Sequence, residues 1–176
     1  MRNVEIKALI RNPHEVNRKL NELGLGPPTL INQHDEFYNI PHGRLKLRSF
    51  EDNSGELIYY ERSDSEGPKL SSFNKASLCA ESREDMSKVL KRALGLYGEV
   101  KKSRHLYILG QTRIHIDFVE GLGNYLELEV VLEQDQSVEE GEKVANSVIS
   151  QLNIDRNDFV ATAYVDLLAK KSKFVE

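Results

Sequence analysis

Hydrophobic and polar residues alternate along several stretches of this chain, as they do in β-strands. The first stretch is RNVEIKALI at residues 2–10, where the two alternating sets are Val4, Ile6 and Ala8 against Asn3, Glu5 and Lys7. Because side chains of a strand point alternately to its two faces, one face of this strand is apolar and the other is charged. A single strand of this kind usually turns its charged face to water. The pattern becomes informative if other strands repeat it.

Apolar residues recur at helical spacing in three other stretches. The first helix is predicted to follow Pro13 and to stop at Gly24. The second begins at Ser82 and ends before Gly95. The third covers residues 138–152, and Ser137 and Glu140 at its start have the spacing of a capping box. Helices are therefore predicted between the runs of strands.

Strand-like runs fill most of the remaining chain. They comprise INQHDEFYNI, GRLKLRSF, LIYYERSD and three runs within residues 99–132. Residues 67–78 are ambiguous, and residues 159–171 fit either a last strand or a short helix. Long antiparallel runs with intervening helices predict an α+β fold, and 176 residues fit one domain, residues 1–176.

The charged faces of the strands carry runs of a single sign. These faces hold Arg44, Lys46 and Arg48; Lys102 and Arg104; Arg113, His115 and Asp117; and Tyr125, Glu127 and Glu129. Two arrangements explain the pattern. Either the charged faces look into solvent, or the sheet curls so that they surround a lumen and the helices pack outside. The repetition from strand to strand favours the curled sheet.

A lumen that contains clustered carboxylates and clustered cations suits a polyanion bridged by a hard divalent cation. Carboxylates bind Mg²⁺ or Mn²⁺ through oxygen, while arginine and lysine bind the phosphate oxygens that the metal leaves free. The charge pattern alone therefore points towards a phosphate compound bound together with metal.

These motifs resemble those of the CYTH superfamily, the class IV adenylyl cyclases and thiamine triphosphatases, also called triphosphate tunnel metalloenzymes. NVEIK resembles the family's E-x-E-x-K signature. Across nearly the whole chain the other motifs follow in the family's order: QHDEFY, RLKLR, the K-x-R of Lys102 and Arg104, and HIDFVEGLGNYLELE. The resemblance implies a closed antiparallel β-barrel, or tunnel, of about eight strands with helices packed outside, and metal-dependent chemistry on a triphosphate.

The resemblance also implies roles for individual residues. The metal-side acids would be Glu5, Asp117, Glu127 and Glu129, and the catalytic set would be Glu5, Lys7, Glu127 and Glu129. The phosphate-binding residues would be Lys7, Lys46, Arg48, Lys102 and Arg104, with Arg44, Arg62 and Arg113 as further candidates. The first acid of the signature is Asn3 here, which leaves open whether one or two metal ions bind.

The leading functional hypothesis is metal-dependent hydrolysis of a triphosphate, either inorganic tripolyphosphate or an organic triphosphate. One alternative is cyclisation of ATP to cyclic AMP and pyrophosphate, as in class IV adenylyl cyclases. The other is a protein that binds triphosphates or polyphosphate without turnover, which the amide at Asn3 would suit. The sequence pattern does not establish an adenine pocket, so it does not identify the group attached to the triphosphate.

Composition limits the partners and the compartment. Hydrophobic residues make up 39% of the chain and charged residues 30%, without a stretch apolar enough to cross a membrane. The net charge of −4 argues against general binding to nucleic acid. The single cysteine, Cys79, and the charged start of the chain predict a reducing cytoplasm. We expect a small-molecule triphosphate as the partner, and a monomer or a homodimer.

Overall fold

A computed structural model describes residues 2–173, in which eight antiparallel strands close into a barrel. The strands are β1 (Arg2–Leu9), β2 (Thr29–Tyr38), β3 (Arg44–Ser49), β4 (Gly55–Arg62), β5 (Lys69–Leu78), β6 (Leu96–Leu109), β7 (Thr112–Val119) and β8 (Gly123–Val131). Around the barrel their order is β1-β5-β4-β3-β2-β6-β7-β8, and β8 pairs with β1 to close it. The predicted closed barrel is confirmed, and the ambiguous residues 67–78 supply β5.

Helices connect the strands and follow the last one. They are α1 (Pro13–Glu22), α2 (Ala80–Leu94), α3 (Val138–Gln151) and α4 (Tyr164–Lys173), with a 3₁₀ turn at Arg156–Asp158. The capping box predicted before α3 is present, with the Ser137 side chain accepting from the backbone of Glu140. The segment at residues 159–171, which fitted either a strand or a short helix, contains the start of α4 and is therefore mainly helical. Within the described part of the chain, the helices are too short and too polar to cross a membrane.

The apolar outer faces of β1, β7 and β8 are covered by α1 and α3. The cluster includes Val4, Ile6, Leu20, Ile114, Leu126, Leu128, Val130, Ala145, Ile149 and Leu152. Gly141 lets α3 approach closely, because a Cβ there would lie 2.5 Å from Leu132 Cδ2 and 2.8 Å from Val4 Cγ2. The core therefore lies outside the barrel wall, and this leaves the inner faces of these strands to polar side chains.

Helix α2 packs against the barrel mainly through polar contacts. Of its residues, Ser87 is buried, and its hydroxyl donates to Glu36 Oε2 on the outer face of β2 at 2.7 Å. Lys91 forms an ion pair with the same carboxylate. The predicted apolar stripe of this helix is half-buried at Met86 but exposed at Val89, whose relative exposure is 59%.

The segment before α4, together with the start of that helix, packs against the end of the barrel where β1 terminates. The Val160 amide donates to the Lys7 carbonyl at 2.9 Å, and Phe159 bridges to Ala8. A second apolar cluster here includes Phe37, Val100, Val119, Tyr125, Ala163, Tyr164 and Val165. Tyr164 and Ala163 line the barrel lumen, so the carboxyl-terminal segment contributes to its wall.

Candidate active site in the barrel lumen

Two walls of opposite charge line the lumen. We call Asn3, Glu5, Glu127 and Glu129, on β1 and β8, the acidic wall, and Lys46, Arg48, Lys102 and Arg104, on β3 and β6, the basic wall. In the strand order, β3 lies three places from β1 and four from β8, on the far side of the eight-stranded barrel, whereas β6 lies two places from β8. There Arg104 Nη2 donates to Glu127 Oε2 at 3.3 Å, so the two walls meet at this point. All eight side chains line one cavity of about 170 Å³.

The acidic wall places like charges side by side. Glu5 lies directly opposite Glu129 in the β1–β8 register, and such pairs repel unless cations lie nearby. Arg62 supplies one cation, since its Nη1 donates to Glu5 Oε2 at 3.1 Å. Arg113 Nη1 lies 3.6 Å from Glu129 Oε2. These two arginines line the same cavity, so they belong to the site.

The donor set of the acidic wall fits a hard divalent cation. Asn3 Oδ1 is buried and has no hydrogen-bond partner among the described residues, and Asn3 lines the cavity beside Glu5. Amide and carboxylate oxygens are the ligands that Mg²⁺ takes in proteins, usually with water and substrate phosphates completing the shell. Asn3, Glu5, Glu127 and Glu129 are therefore the residues that could hold Mg²⁺ or Mn²⁺.

A tighter group of potential ligands lies outside the lumen. Among residues 2–173, His34, Glu36 and Glu99 bring three ligand atoms within 4.8 Å of one another. Glu36 already accepts from Ser87 and Tyr38, and Lys91 forms an ion pair with it. Since the Lys91 ammonium already neutralises Glu36, this cluster is a poorer candidate for a metal ion than the acidic wall.

Asp117, predicted from the resemblance as a metal-side acid, is hydrogen-bonded to cations of the basic wall. Its relative exposure is 0%, and Arg104 donates to both of its oxygens at 2.7 Å. Lys102 Nζ donates to Oδ2 at 3.1 Å, and so does the Tyr164 hydroxyl at 3.1 Å. The structure thus places this carboxylate with the cations of the basic wall.

The three further arginine candidates separate into two groups. Arg62 and Arg113 line the lumen, as described above. Arg44 instead lines an adjoining surface pocket, where its Nη2 lies 3.0 Å from Asp64 Oδ2 and 3.0 Å from Asp166 Oδ2. Its guanidinium therefore connects the barrel to α4, outside the cavity shared by the other predicted phosphate-binding residues.

Burial controls the charge of the lumen lysines. Burial lowers the pKa of Lys7 to about 7, although Glu127 opposes this shift. Lys7 Nζ donates to the Thr162 carbonyl at 3.2 Å and lies 4.1 Å from the centroid of the Tyr164 ring. Burial and the Arg48 charge lower the pKa of Lys46 to about 8. Both lysines therefore change charge close to neutral pH.

The surroundings of the lumen also shift the pKa values of Glu127 and His115. Burial alone would raise the pKa of Glu127, but Lys7, Arg104 and Lys102 together hold it well below its usual range. In His115, burial and the Arg104 charge lower the pKa to about 4. Glu127 is therefore an anion at neutral pH, while the imidazole of His115 is neutral.

Several lumen residues were not assigned from the sequence. They include Asp35, Glu56, Tyr60, Ser71, Lys75 and Tyr164. The alternation of Asp35 with Phe37, within a stretch already predicted as a strand, was a signal that could have found it. Ser71 and Lys75 lie on β5, whose sequence was ambiguous, and Tyr164 begins α4.

The fold and the charged walls define a closed barrel whose lumen is lined by both carboxylates and cations. The sequence pattern of the CYTH domain matches residues 1–164, and the chain belongs to this family. Its motifs are thus family motifs, which confirms the resemblance drawn from the sequence.

Individual relatives agree with this assignment. A curated protein of Methanocaldococcus jannaschii, named "Putative adenylate cyclase MJ0240", is 27% identical over 178 residues, or 93% of this chain and 97% of that protein. The PH1012 protein of Pyrococcus horikoshii matches with a TM-score of 0.81 and 23% identity, over 94% of this chain and 99% of that chain. A Hippeastrum protein described as a "putative adenylyl cyclase" with "a dominant" triphosphatase activity has a TM-score of 0.67 and 13% identity, over 96% of each chain.

Proposed function

We propose that this protein hydrolyses a triphosphate, inorganic or organic, at a terminal phosphoanhydride in a reaction that depends on Mg²⁺ or Mn²⁺. The observation that carries the proposal is that the acidic wall and the basic wall line one lumen. A phosphate chain between the walls would meet cations on one side and oxygen ligands for a metal on the other. Membership of the CYTH family supports the same class of chemistry.

The basic wall would bind and orient the phosphate chain. Arginine presents several N–H donors to phosphate oxygens in a fixed plane, and lysine adds a mobile point charge. Arg48 and Arg104 lie on the two strands that flank β2, and both line the lumen. Such positively charged donors also stabilise the charge that develops on a transferring phosphoryl group.

The acidic wall would hold the metal through Asn3, Glu5, Glu127 and Glu129. When bound, a divalent ion supplies neutralisation of phosphate charge and activation of a water molecule. Lys7 lies opposite Glu127 in the β1–β8 register, next to this wall. An anionic substrate beside Lys7 would raise the pKa of that lysine and keep it charged in the complex.

Cyclisation of ATP is the second candidate, because the Methanocaldococcus relative carries an adenylate cyclase name. The lumen volume of about 170 Å³ argues against a whole nucleotide inside it, since pockets for ligands of drug size span roughly 300–1,000 Å³. A nucleoside would have to lie at a mouth of the barrel. For the Hippeastrum neighbour, the cyclase name accompanies a dominant triphosphatase activity, which supports placing hydrolysis first.

A substrate panel tests the proposal and separates the candidates. Tripolyphosphate, thiamine triphosphate and nucleoside triphosphates are each incubated with Mg²⁺ or Mn²⁺ across a range of pH, and phosphate and cyclic nucleotide are quantified. We expect metal-dependent release of phosphate. Cyclic AMP from ATP would favour the cyclase, and tight binding of triphosphate without product over many hours would favour a binding protein, as the amide of Asn3 permits.

Removal of single acids shows whether the lumen is where the reaction occurs. We expect Glu127→Gln and Glu129→Gln each to reduce turnover at least ~10²-fold, because each removes a charged metal ligand while keeping the shape of the side chain. Glu139→Gln, at an exposed position of α3, is the matched control and should retain activity. Full turnover in either lumen variant, with circular dichroism showing a native fold, would contradict the assignment.

A further inference from the structure

Each Lys-x-Arg pair of the basic wall is accompanied by an aspartate on the neighbouring strand. In the β2–β3 register Asp35 lies directly opposite Arg48, and in the β6–β7 register Asp117 lies directly opposite Arg104. The strands run in the order β3-β2-β6-β7, so the same unit occurs twice along one side of the barrel.

The contacts within the first unit are short and bidentate. Arg48 Nε donates to Asp35 Oδ1 at 2.8 Å, and Arg48 Nη2 donates to Oδ2 at 2.8 Å. Lys46 Nζ donates to the same Oδ2 at 2.9 Å. The relative exposure of Asp35 is 3%, so its charge is compensated by these two cations rather than by water.

The second unit repeats this geometry with Arg104, Lys102 and Asp117, at the distances given above. It adds the hydroxyl of Tyr164 as a further donor to Asp117 Oδ2. Four hydrogen bonds therefore reach Asp117, three at Oδ2 and one at Oδ1. A metal ion would have to displace one of the three donors at Oδ2 to bind that oxygen.

We propose that Asp35 and Asp117 are positioning residues that hold the two Lys-x-Arg pairs in the geometry that binds phosphate, and that Asp117 is not a metal ligand. The proposal rests on the proposed function, because it assumes that the basic wall binds a phosphate chain. It gives Asp35 a role that the sequence did not, and it moves Asp117 from the metal side to the phosphate side.

The donor count supports this role. A guanidinium has five N–H groups, and Arg48 uses two of them on Asp35, so three remain for a ligand. Lys46 has three donors and uses one. Without the carboxylate, two buried cations on one strand would repel each other and move apart. The aspartate therefore orients both cations and leaves most of their donors directed into the lumen.

Asp35 also opposes the loss of charge by Lys46. The groups that face Lys46 are Asp35 on β2, Arg48 on β3, Lys102 on β6, and the rings of Phe37 and Tyr60. Burial and the two neighbouring cations lower the pKa of Lys46, while Asp35 is the group that raises it. Loss of the carboxylate should therefore make Lys46 neutral at a lower pH than in the wild type.

The first test measures binding of tripolyphosphate without turnover, by calorimetry in EDTA from pH 6 to 9. We expect Asp35→Asn and Asp117→Asn each to weaken binding by about tenfold or more, as losses of residues that orient a ligand-binding group do. In Asp35→Asn the decline of affinity with rising pH should also begin at lower pH. If the carboxylates only added negative charge, their removal would strengthen binding of an anion, so equal or tighter binding overturns the proposal.

Glu36→Gln is the matched control. Glu36 is the next residue on β2, is similarly buried with a relative exposure of 7%, and also binds a lysine, but it faces α2 outside the lumen. Its substitution should leave tripolyphosphate affinity within about twofold of the wild type. Should the asparagine variants fail to fold, Asp35→Glu and Asp117→Glu keep the charge and shift the carboxylate by one methylene, and weaker binding is still expected. Unchanged binding in these variants overturns the positioning role.

The second test separates a positioning role of Asp117 from metal ligation. Binding of Mn²⁺ in the presence of tripolyphosphate is followed by electron paramagnetic resonance for the wild type, Asp117→Asn and Glu129→Gln. We expect Glu129→Gln to weaken Mn²⁺ binding at saturating tripolyphosphate and Asp117→Asn to leave it unchanged. Equal losses in both variants would identify Asp117 as a metal ligand and overturn that part of the proposal.

The outcomes distinguish this inference from the proposed function. If the wild type binds tripolyphosphate but never hydrolyses a triphosphate, the proposed function fails while the calorimetry still decides the role of the aspartates. If the wild type turns over a triphosphate and the aspartate variants bind it normally, only the positioning role fails. Absence of tripolyphosphate binding by the wild type in EDTA overturns the positioning role, whereas the proposed function fails only if the substrate panel with metal also releases no phosphate.

Discussion

Lys46 carries its charge at a position where that charge is costly. The side chain is buried in the lumen beside Arg48, and one carboxylate, that of Asp35, offsets both cations. Its pKa of about 8 means that the ammonium begins to lose its proton just above neutral pH. Since the protonated form binds phosphate, the affinity of the basic wall should decline as the pH rises through this range.

A Lys46→Arg substitution tests this titration, because a guanidinium stays charged throughout the accessible pH range. In the wild type we expect KM for the triphosphate to rise about tenfold between pH 7.5 and pH 9.5, as the charge of one phosphate contact is lost. In Lys46→Arg the rise should be smaller, whatever the absolute KM. Lys88→Arg, at an exposed position of α2, serves as the control and should follow the wild-type profile. An identical pH profile in Lys46→Arg would assign the titration to another group.

At the scale of elements, the packing of α3 fixes the strand that carries half of the acidic wall. Val4 points outward from β1 into the contact with Gly141, while its neighbours Asn3 and Glu5 point inward. A displacement of Val4 by the helix would therefore also move Asn3 and Glu5, the proposed metal ligands next to it. The close approach of α3 to β1 explains why a residue without a side chain occupies the middle of a helical face.

Two opposing effects decide the outcome of Gly141→Ala. Alanine favours a helix over glycine by about 1 kcal/mol, whereas overpacking of a core contact costs about 1–3 kcal/mol. The new Cβ would meet the fully buried Val4, so we expect the clash to prevail and the free energy of unfolding to fall by about 1 kcal/mol. Urea denaturation measures this change, with Ser147→Ala on the exposed face of α3 as the control for helix propensity. A more stable Gly141→Ala protein would show that α3 can move away from β1 at little cost.

The sequence predicted the elements whose faces differ sharply in polarity. Within residues 44–48 of β3 and 125–130 of β8 every second residue is charged or aromatic and the others are aliphatic, so the strand and its inward face could both be assigned. In β5, by contrast, both faces carry polar residues, with Ser71 and Lys75 on one and Ser72 and Asn74 on the other, and the strand is recognisable only from its pairing with β1 and β4. The start of α4, AYVDLL, satisfies both strand and helix spacing, and contacts with the barrel select the helix.

The site was predictable in composition but not in arrangement. Alternation placed Asp117 on the inward face correctly, yet the face alone does not say which residues a carboxylate will meet. The partners of the carboxylate depend on the strand order, which places β7 beside β6, so that Asp117 forms an ion pair with Arg104. The same register argument applies to Asp35 and Arg48. Cross-strand partners are set by the closed topology, which a single sequence does not specify.

For the whole molecule, closure of the barrel forces cations into a small shared space, where they repel one another when no ligand is present. A ligand that binds only the folded state stabilises it by RT ln(1 + [L]/Kd), which is about 2.7 kcal/mol at a ligand concentration 100 times Kd. For a chain of this length, that corresponds to a rise in Tm of about 5–10 °C. We therefore expect tripolyphosphate at saturation to raise Tm by this amount in differential scanning calorimetry.

Sodium chloride at matched ionic strength is the control for this rise in Tm, because it screens the same charges but does not bridge the two walls. Tripolyphosphate should exceed it by several degrees, and added Mg²⁺ or Mn²⁺ should increase the shift further, because the ion would join the phosphates to the acidic wall. In Glu129→Gln the shift from tripolyphosphate alone should persist while the additional shift from metal shrinks. A Tm response no larger than that of chloride would mean that the two walls do not act together on a phosphate chain.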